Sequence, residues 1–193
     1  RAAGRAYGLW RALRWYRLEV DCDVRADEES VCAALTLGSI NLIQEQIRSA
    51  AGEVLKLRQE DISFTGHSIE CRINAEDPHH NFRPSPGTIQ SLHVPGGPGV
   101  RVDSAIYQGY SIPPYYDSLL AKLIVYAPSR TQAIARMRRA LMEFMISGVE
   151  TNIDFHLAIL RDPDFIAGTY NIGYLGQKAD ALLGELNHYR KEG

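Results

Sequence analysis

Apolar and polar residues alternate with a period of two over 68–74, where Ile69, Cys71 and Ile73 interleave with Ser68, Glu70, Arg72 and Asn74. That period is the mark of a half-buried strand, and it predicts Glu70, Arg72 and Asn74 on one polar face. Further short strands are expected at 88–94 and 100–104, separated by PGGPG, and a more deeply buried one at 119–126.

Helical spacing takes over on either side. NLIQEQIRSAAG places Leu42, Ile43, Ile47 and Ala50 on one face, with Ser39 as cap and Gly52 as stop. Ser129 with Gln132 is a capping-box signature opening a helix whose stripe is Ile134, Met137, Leu141 and Phe144, ended by Gly148. Met and Phe at that spacing read as core. Arg130, Arg136, Arg138 and Arg139 read as a solvated basic face. Thr151 with Asp154 opens another capped helix, closed by Asp162-Pro163, and residues 177–189 form a last amphipathic helix. Strands followed by helices, without regular βαβ alternation, point to an α+β fold.

Residues 1–40 are different. Five arginines and no acid fall before Leu18, and Ala6, Leu9, Trp10, Leu13 and Tyr16 recur at helical spacing, which fits a basic amphipathic helix. Arg-rich, acid-poor starts occur in organelle transit peptides, but here there is no initiating Met and little serine. The acidic stretch DCDVRADEES follows, and 21–40 carry no chemical assignment.

The chain has 193 residues, 45% hydrophobic and 23% charged, with a net charge of −2. This is an ordinary globular composition that argues against a general nucleic-acid binder. No apolar run reaches membrane-spanning length. Cys22, Cys32 and Cys71 are odd in number with no CxxC pair, so reduced thiols in a cytosol-like compartment are expected. Neither His67 with Cys71 nor His79-His80 assembles a metal site.

Chemistry gathers in two blocks. GHSIECRINAEDPHHNFRPSPG carries Arg72 beside Glu70, and PPYYDS carries Tyr116 and Asp117. An arginine held by a neighbouring acid suits a carboxylate-like oxygen or a developing oxyanion. An ion pair on a solvated sheet is the other reading that alternation allows. NLIQEQIRSAAG, GHSIECRINAEDP, PSPGTI, PGGPGVRVDS, PPYYDSLLAKLI, GVETNIDFH and NIGYL fall in the order and register of the carboxyl-terminal third of biotin carboxylase, and the chain resembles that family over about residues 41–175.

The resemblance implies the end of an ATP-grasp core followed by a small carboxyl-terminal subdomain of short antiparallel strands and then helices. Its boundaries would be 1–40 unassigned, 41–65 a helix and connector, 66–175 the carboxyl-terminal domain and 176–193 a helical tail. Arg72 matches the family's arginine on the ureido oxygen of biotin. Tyr116 and Asp117 match residues near the same pocket, as substrate contacts or as braces of their loop. Arg101, in GVRVDS, matches a dimer-interface position.

The function implied is ATP-dependent carboxylation of carrier-bound biotin with bicarbonate, the first half-reaction of acetyl-CoA carboxylase or a related carboxylase. The implied cofactors are ATP with magnesium or manganese. The implied partners are a biotin carboxyl carrier protein or domain, carboxyltransferase subunits and a second copy, in the cytoplasm or an organelle stroma or matrix, with neither nucleic acid nor membrane. The family's phosphate-binding lysines, metal glutamates and Asn-x-Arg stretch have no counterpart in 1–40. The chain is therefore expected to be a fragment, inactive alone, whose first forty residues are divergent, spliced or frame-shifted and loosely held. The alternative is a non-catalytic dimerisation or regulatory module derived from a biotin carboxylase.

Overall fold

The computed structural model describes residues 41–54 and 65–192. The helix, acidic stretch and proteolytic sensitivity expected of 1–40, and most of the connector after Val54, lie outside the described residues. The first element, α1 (Leu42–Ala50), is capped by Asn41, whose side-chain oxygen accepts from the Gln44 amide at 3.0 Å. Asn41 rather than Ser39 takes this role because the cap must stand directly ahead of the first helical residue. Gly52, at φ 91°, ends the helix as expected. Ile47, placed on the apolar face, is 65% exposed.

The strands in chain order are β1 (His67–Asn74), β2 (Glu76–Asp77), β3 (Arg83–Pro84), β4 (Gly87–Thr88), β5 (Ser91–His93), β6 (Val100–Ser104), β7 (Ser111–Ile112), β8 (Leu119–Ala127) and β9 (Met145–Ser147). The main sheet has the order β1–β8–β6 and is antiparallel throughout, while β2–β3, β4–β7 and β5–β9 form two-stranded ribbons. β8, expected to be the deepest strand, is the central one. The single strand expected over 88–94 is divided because its two ends pair with different partners, β7 and β9. At the break Ile89 is fully buried, and Gln90 donates its amide to the Ser147 carbonyl.

The helices are α2 (Arg130–Glu143), α3 (Ile153–Ile159), α4 (Pro163–Ala167) and α5 (Tyr174–Glu192). One face of the sheet, with Ile69, Cys71, Ile73, Leu123 and Val125, packs against Met137 and Leu141 of α2 and Phe155 and Ile159 of α3. Full burial of each such Leu or Met contributes on the order of 2 kcal/mol. A second cluster, Ala75, Ile89, Ile112 and Leu120, lies under the ribbons. The α+β class read from the sequence is the observed one. No helix among the described residues is long and apolar enough to cross a membrane.

Four local expectations change. The α2 helix is opened by Ser129 as expected, but it stops at Glu143, because Phe144 turns extended and 145–147 join β5. Gly148 instead follows β9. Arg130, Arg136 and Arg139 of α2 are not simply a solvated face, because each binds a main-chain carbonyl beyond the helix. Arg130 donates to the carbonyl of Phe165 and lies over its ring, Arg136 donates to the Tyr126 carbonyl, and Arg139 pairs with Glu143 at 2.7 Å and reaches the Gly96 carbonyl. Neither Thr151 nor Asp154 caps α3: Asn152 holds the cap position and its side chain bonds elsewhere. Asp162-Pro163 opens α4, with Asp162 accepting from the amides of Asp164 and Phe165.

Candidate functional site

Residues directly opposite in an antiparallel pair share a face. The register sets Arg72 of β1 opposite Lys122 of β8, and Lys122 opposite Asp103 of β6. These three form one charged row across the sheet, on the side away from the α2–α3 core. Glu70, Ile124 and Arg101 form the adjacent row. The polar face is less open than simple alternation implies, because Ser68 and Glu70 are buried on it. Arg72 keeps partial access, with 25% of its side chain exposed, as does Asn74 at the end of the strand.

The loop after β7 brings the second sequence block to this row. Ala75 donates its amide to the Ser118 carbonyl at 2.8 Å, and the Ser118 hydroxyl donates to the Glu76 carboxylate, so the loop is tied to the segment that follows β1. Asp117 thereby comes within 3.7 Å of the Arg72 guanidinium. That separation is a charge pair, longer than a hydrogen bond. Asp117 and Tyr116 also line a cleft of about 440 Å³, together with Asp103, Tyr110, Ile112 and Lys122. Tyr116 stands at its rim, 82% exposed.

Of the residues singled out in the sequence, Arg72, Asp117 and Tyr116 therefore fall in one neighbourhood. Arg101 lies apart from the Arg72–Asp117 contact on the edge strand β6 and makes a two-pronged pair with Asp103, at 2.8 and 2.7 Å. Its side chain is more than half exposed. The sequence points to Glu70, two residues back on the same face, as the acid that orients Arg72; Asp117 is a further carboxylate near the guanidinium.

Sequence reasoning passed over Lys122 and Asp103, which only the strand register places in the row of Arg72, Lys122 next to it and Asp103 one strand further. It also passed over Asn152 and His156, which bond the main chain of β1. The available signal was an Asn at a helix start with a His four residues later, inside GVETNIDFH.

The histidine pair has a local role. The Asp77 side chain accepts from the His79 amide and meets His80 Nδ1 at 2.5 Å, and this hydrogen bond from His80 holds the Asp77 carboxyl below its ordinary range. Among the described residues no three of His, Cys, Asp and Glu converge as a metal site requires. Chemically, a half-shielded guanidinium steered by a carboxylate, beside aromatic walls, is suited to an oxygen that carries or gains negative charge.

Comparison with known proteins bears on the same segment. The family model for the biotin carboxylase C-terminal domain matches residues 70–177. Biotin carboxylase 1 of Bacillus subtilis is 52% identical over 162 residues, covering 84% of this chain and 35% of that protein. The biotin carboxylase of Pseudomonas aeruginosa is 46% identical over 178 residues, covering 92% of this chain and 39% of that protein. Among solved structures, the biotin carboxylase domain dimer of the Hydrogenobacter thermophilus 2-oxoglutarate carboxylase, with MgADP, ADP and bicarbonate, superposes with a TM-score of 0.74 at 48% identity. It is matched over 83% of this chain and 35% of that one. The chain thus spans little more than a third of the length of these relatives.

Proposed function

The chain belongs to the biotin carboxylase C-terminal domain family, and on that footing we propose that it forms the carboxyl-terminal third of a biotin carboxylase. This enzyme is an ATP-dependent carbon–nitrogen ligase that joins the carbon of bicarbonate to N1 of carrier-bound biotin. The observation that carries the reading is the meeting of Arg72 and Asp117 at 3.7 Å beside the Tyr116-lined cleft. Loss of the N1 proton places negative charge on the ureido oxygen of biotin. A guanidinium already fixed at that oxygen stabilises the charge as it develops, with little reorganisation. The N1 electron pair, its proton taken by the enzyme's base, then forms the new bond to the carboxyl carbon of carboxyphosphate, the species made from ATP and bicarbonate, as the carbon–oxygen bond to phosphate breaks and phosphate leaves.

Arg72 is assigned to the ureido oxygen, Asp117 to orienting the guanidinium, and Tyr116 to the wall of the biotin pocket. ATP, magnesium or manganese and the base for N1 belong, on this reading, to parts of the enzyme other than residues 41–192. Arg101 and the β6 edge are assigned to a dimer surface, which agrees with the dimeric form of the Hydrogenobacter domain. The carrier protein or domain and a carboxyltransferase would be the partners, in the cytoplasm or an organelle stroma or matrix.

The experiment is a graft. The matching 162 residues of this chain replace their counterparts in Bacillus subtilis biotin carboxylase 1, and carboxybiotin formation from ATP, bicarbonate and biotin is followed. The expected result is a folded chimera with a rate within about tenfold of the parent. A folded, nucleotide-binding chimera that forms no carboxybiotin would contradict the proposal and favour a non-catalytic module.

A further inference from the structure

Among the described residues β1 is an edge strand of its sheet, so on the side away from β8 no described strand bonds the Arg72 carbonyl and the Asn74 amide. Asn152, itself buried, fills that place. Its Nδ2 donates to the Arg72 carbonyl at 3.0 Å and its Oδ1 accepts from the Asn74 amide at 2.9 Å. Its own amide donates to the Asn74 carbonyl at 3.3 Å. Bonding the carbonyl before Ile73 and the amide after it is what a neighbouring parallel strand does, so one carboxamide replaces a strand at this point. His156, one helical turn on, brings Nε2 to the same Arg72 carbonyl at 2.9 Å. A carbonyl only accepts, so Nε2 carries a proton here, and both lone pairs of the Arg72 carbonyl are engaged.

The place is not arbitrary. The β1–β8 register shifts between Ile73 and Asn74, one residue beyond Arg72. A bulge re-aims neighbouring side chains and loosens the ladder, and the Asn152 carboxamide bridges that irregularity. In doing so it makes no side-chain bond to its own helix, although capping by Asn ordinarily contributes about 1 kcal/mol.

We propose that Asn152 and His156 are positioning residues, which clamp the β1 main chain at the bulge so that the Arg72 guanidinium keeps its place beside Asp117. The effect on catalysis rests on the role proposed for Arg72; the clamp itself does not.

Two readouts separate these. In the 193-residue chain, labelled with ¹⁵N, the Arg72 Nε–H resonance reports the guanidinium directly. In the chimera, kcat for biotin carboxylation and KM for ATP report the reaction. His156→Leu removes the donor while leaving the Asn152 bonds, and is expected to shift and broaden the Arg72 resonance. It should also lower kcat about tenfold, as a small misplacement of a reacting group does, with KM for ATP within about twofold. His156→Gln, whose side-chain N–H reaches the same carbonyl, should restore both. An unmoved Arg72 resonance in His156→Leu, or equal losses in the Leu and Gln variants that track a general fall in melting temperature, would overturn the proposal. A moved and rescued resonance in a chimera whose rate is indifferent to Arg72→Ala would uphold the clamp and overturn the role given to Arg72.

Discussion

Arg72 illustrates how a charged residue acquires a use. Its neighbours along the strand, Ile73 and Cys71, are fully buried, and Asp117 opposite it is 70% exposed. The guanidinium therefore stands at the boundary between the sheet and water, where a carboxylate can orient it and a ligand can still reach it. Asp162 shows a charged residue used for structure. It accepts from two amides at the start of α4 and from Lys178 at 3.1 Å. Burial raises its carboxyl, but the Lys178 hydrogen bond and the two amide bonds together outweigh that, so its folded pKa lies below the ordinary 3.8.

A carboxyl depressed on folding adds stability above its unfolded pKa, and that stability is lost as pH falls through the folded value. The sensitive window is therefore around and below about pH 4. Asp162→Asn keeps an acceptor for the cap and removes the charge. Its melting temperature should fall less than the parent's between about pH 5 and pH 3; calorimetric scans showing equal falls would contradict the assignment.

Among the elements, those with locally coded ends were legible in the sequence. The alternation of Ile69, Cys71 and Ile73 marked β1, and Ser129 marked the start of α2. The misreadings share a cause, which is a partner distant in sequence. α2 stops early because 145–147 pair with β5, more than fifty residues back. Asn152 fails to cap α3 because its side chain bonds residues 78 and 80 positions away. The α2 arginines looked solvated because the carbonyls of Tyr126, Phe165 and Gly96 that they bind lie outside the helix.

Gly148 belongs to the same set. Its place after the apolar stripe suggests a helix stop, yet its φ of 99° and the Thr88 carbonyl, which occupies the space a Cβ would take, make it the turn between β9 and α3. A side chain there would collide with that carbonyl and sit in a disfavoured conformation. Gly148→Ala should destabilise the chain by roughly 2 kcal/mol or more, measured by urea unfolding. A loss under about 0.5 kcal/mol, the size of an ordinary surface change, would contradict this.

For the whole molecule, one apolar cluster joins β1 and β8 to α2, α3, α4 and α5, while the polar side of the sheet carries Arg72, Lys122 and Asp103 toward the cleft. The fold class was legible because strand and helix periods occupy separate stretches. The neighbourhood of Arg72 was legible only in part, because resemblance named Arg72, Tyr116 and Asp117 while register alone adds Lys122 and Asp103. The outer edge of β6, with Arg101 exposed beside Asp103, is the place assigned to self-association. Equilibrium sedimentation should show weak dimerisation of the chain, and Arg101→Glu should shift it to monomer. A strictly monomeric parent at high concentration, or a dimer indifferent to the substitution, would remove that assignment.

The central claim is that Arg72 serves the biotin half of the reaction. Its most direct test is the kinetic comparison of the chimera with and without Arg72→Ala, varying biotin and ATP separately. Loss of an oxyanion contact predicts a fall of about a hundredfold or more in kcat for biotin carboxylation, with KM for ATP nearly unchanged. A large rise in KM for ATP, or a carboxylation rate that survives the substitution, would contradict the claim.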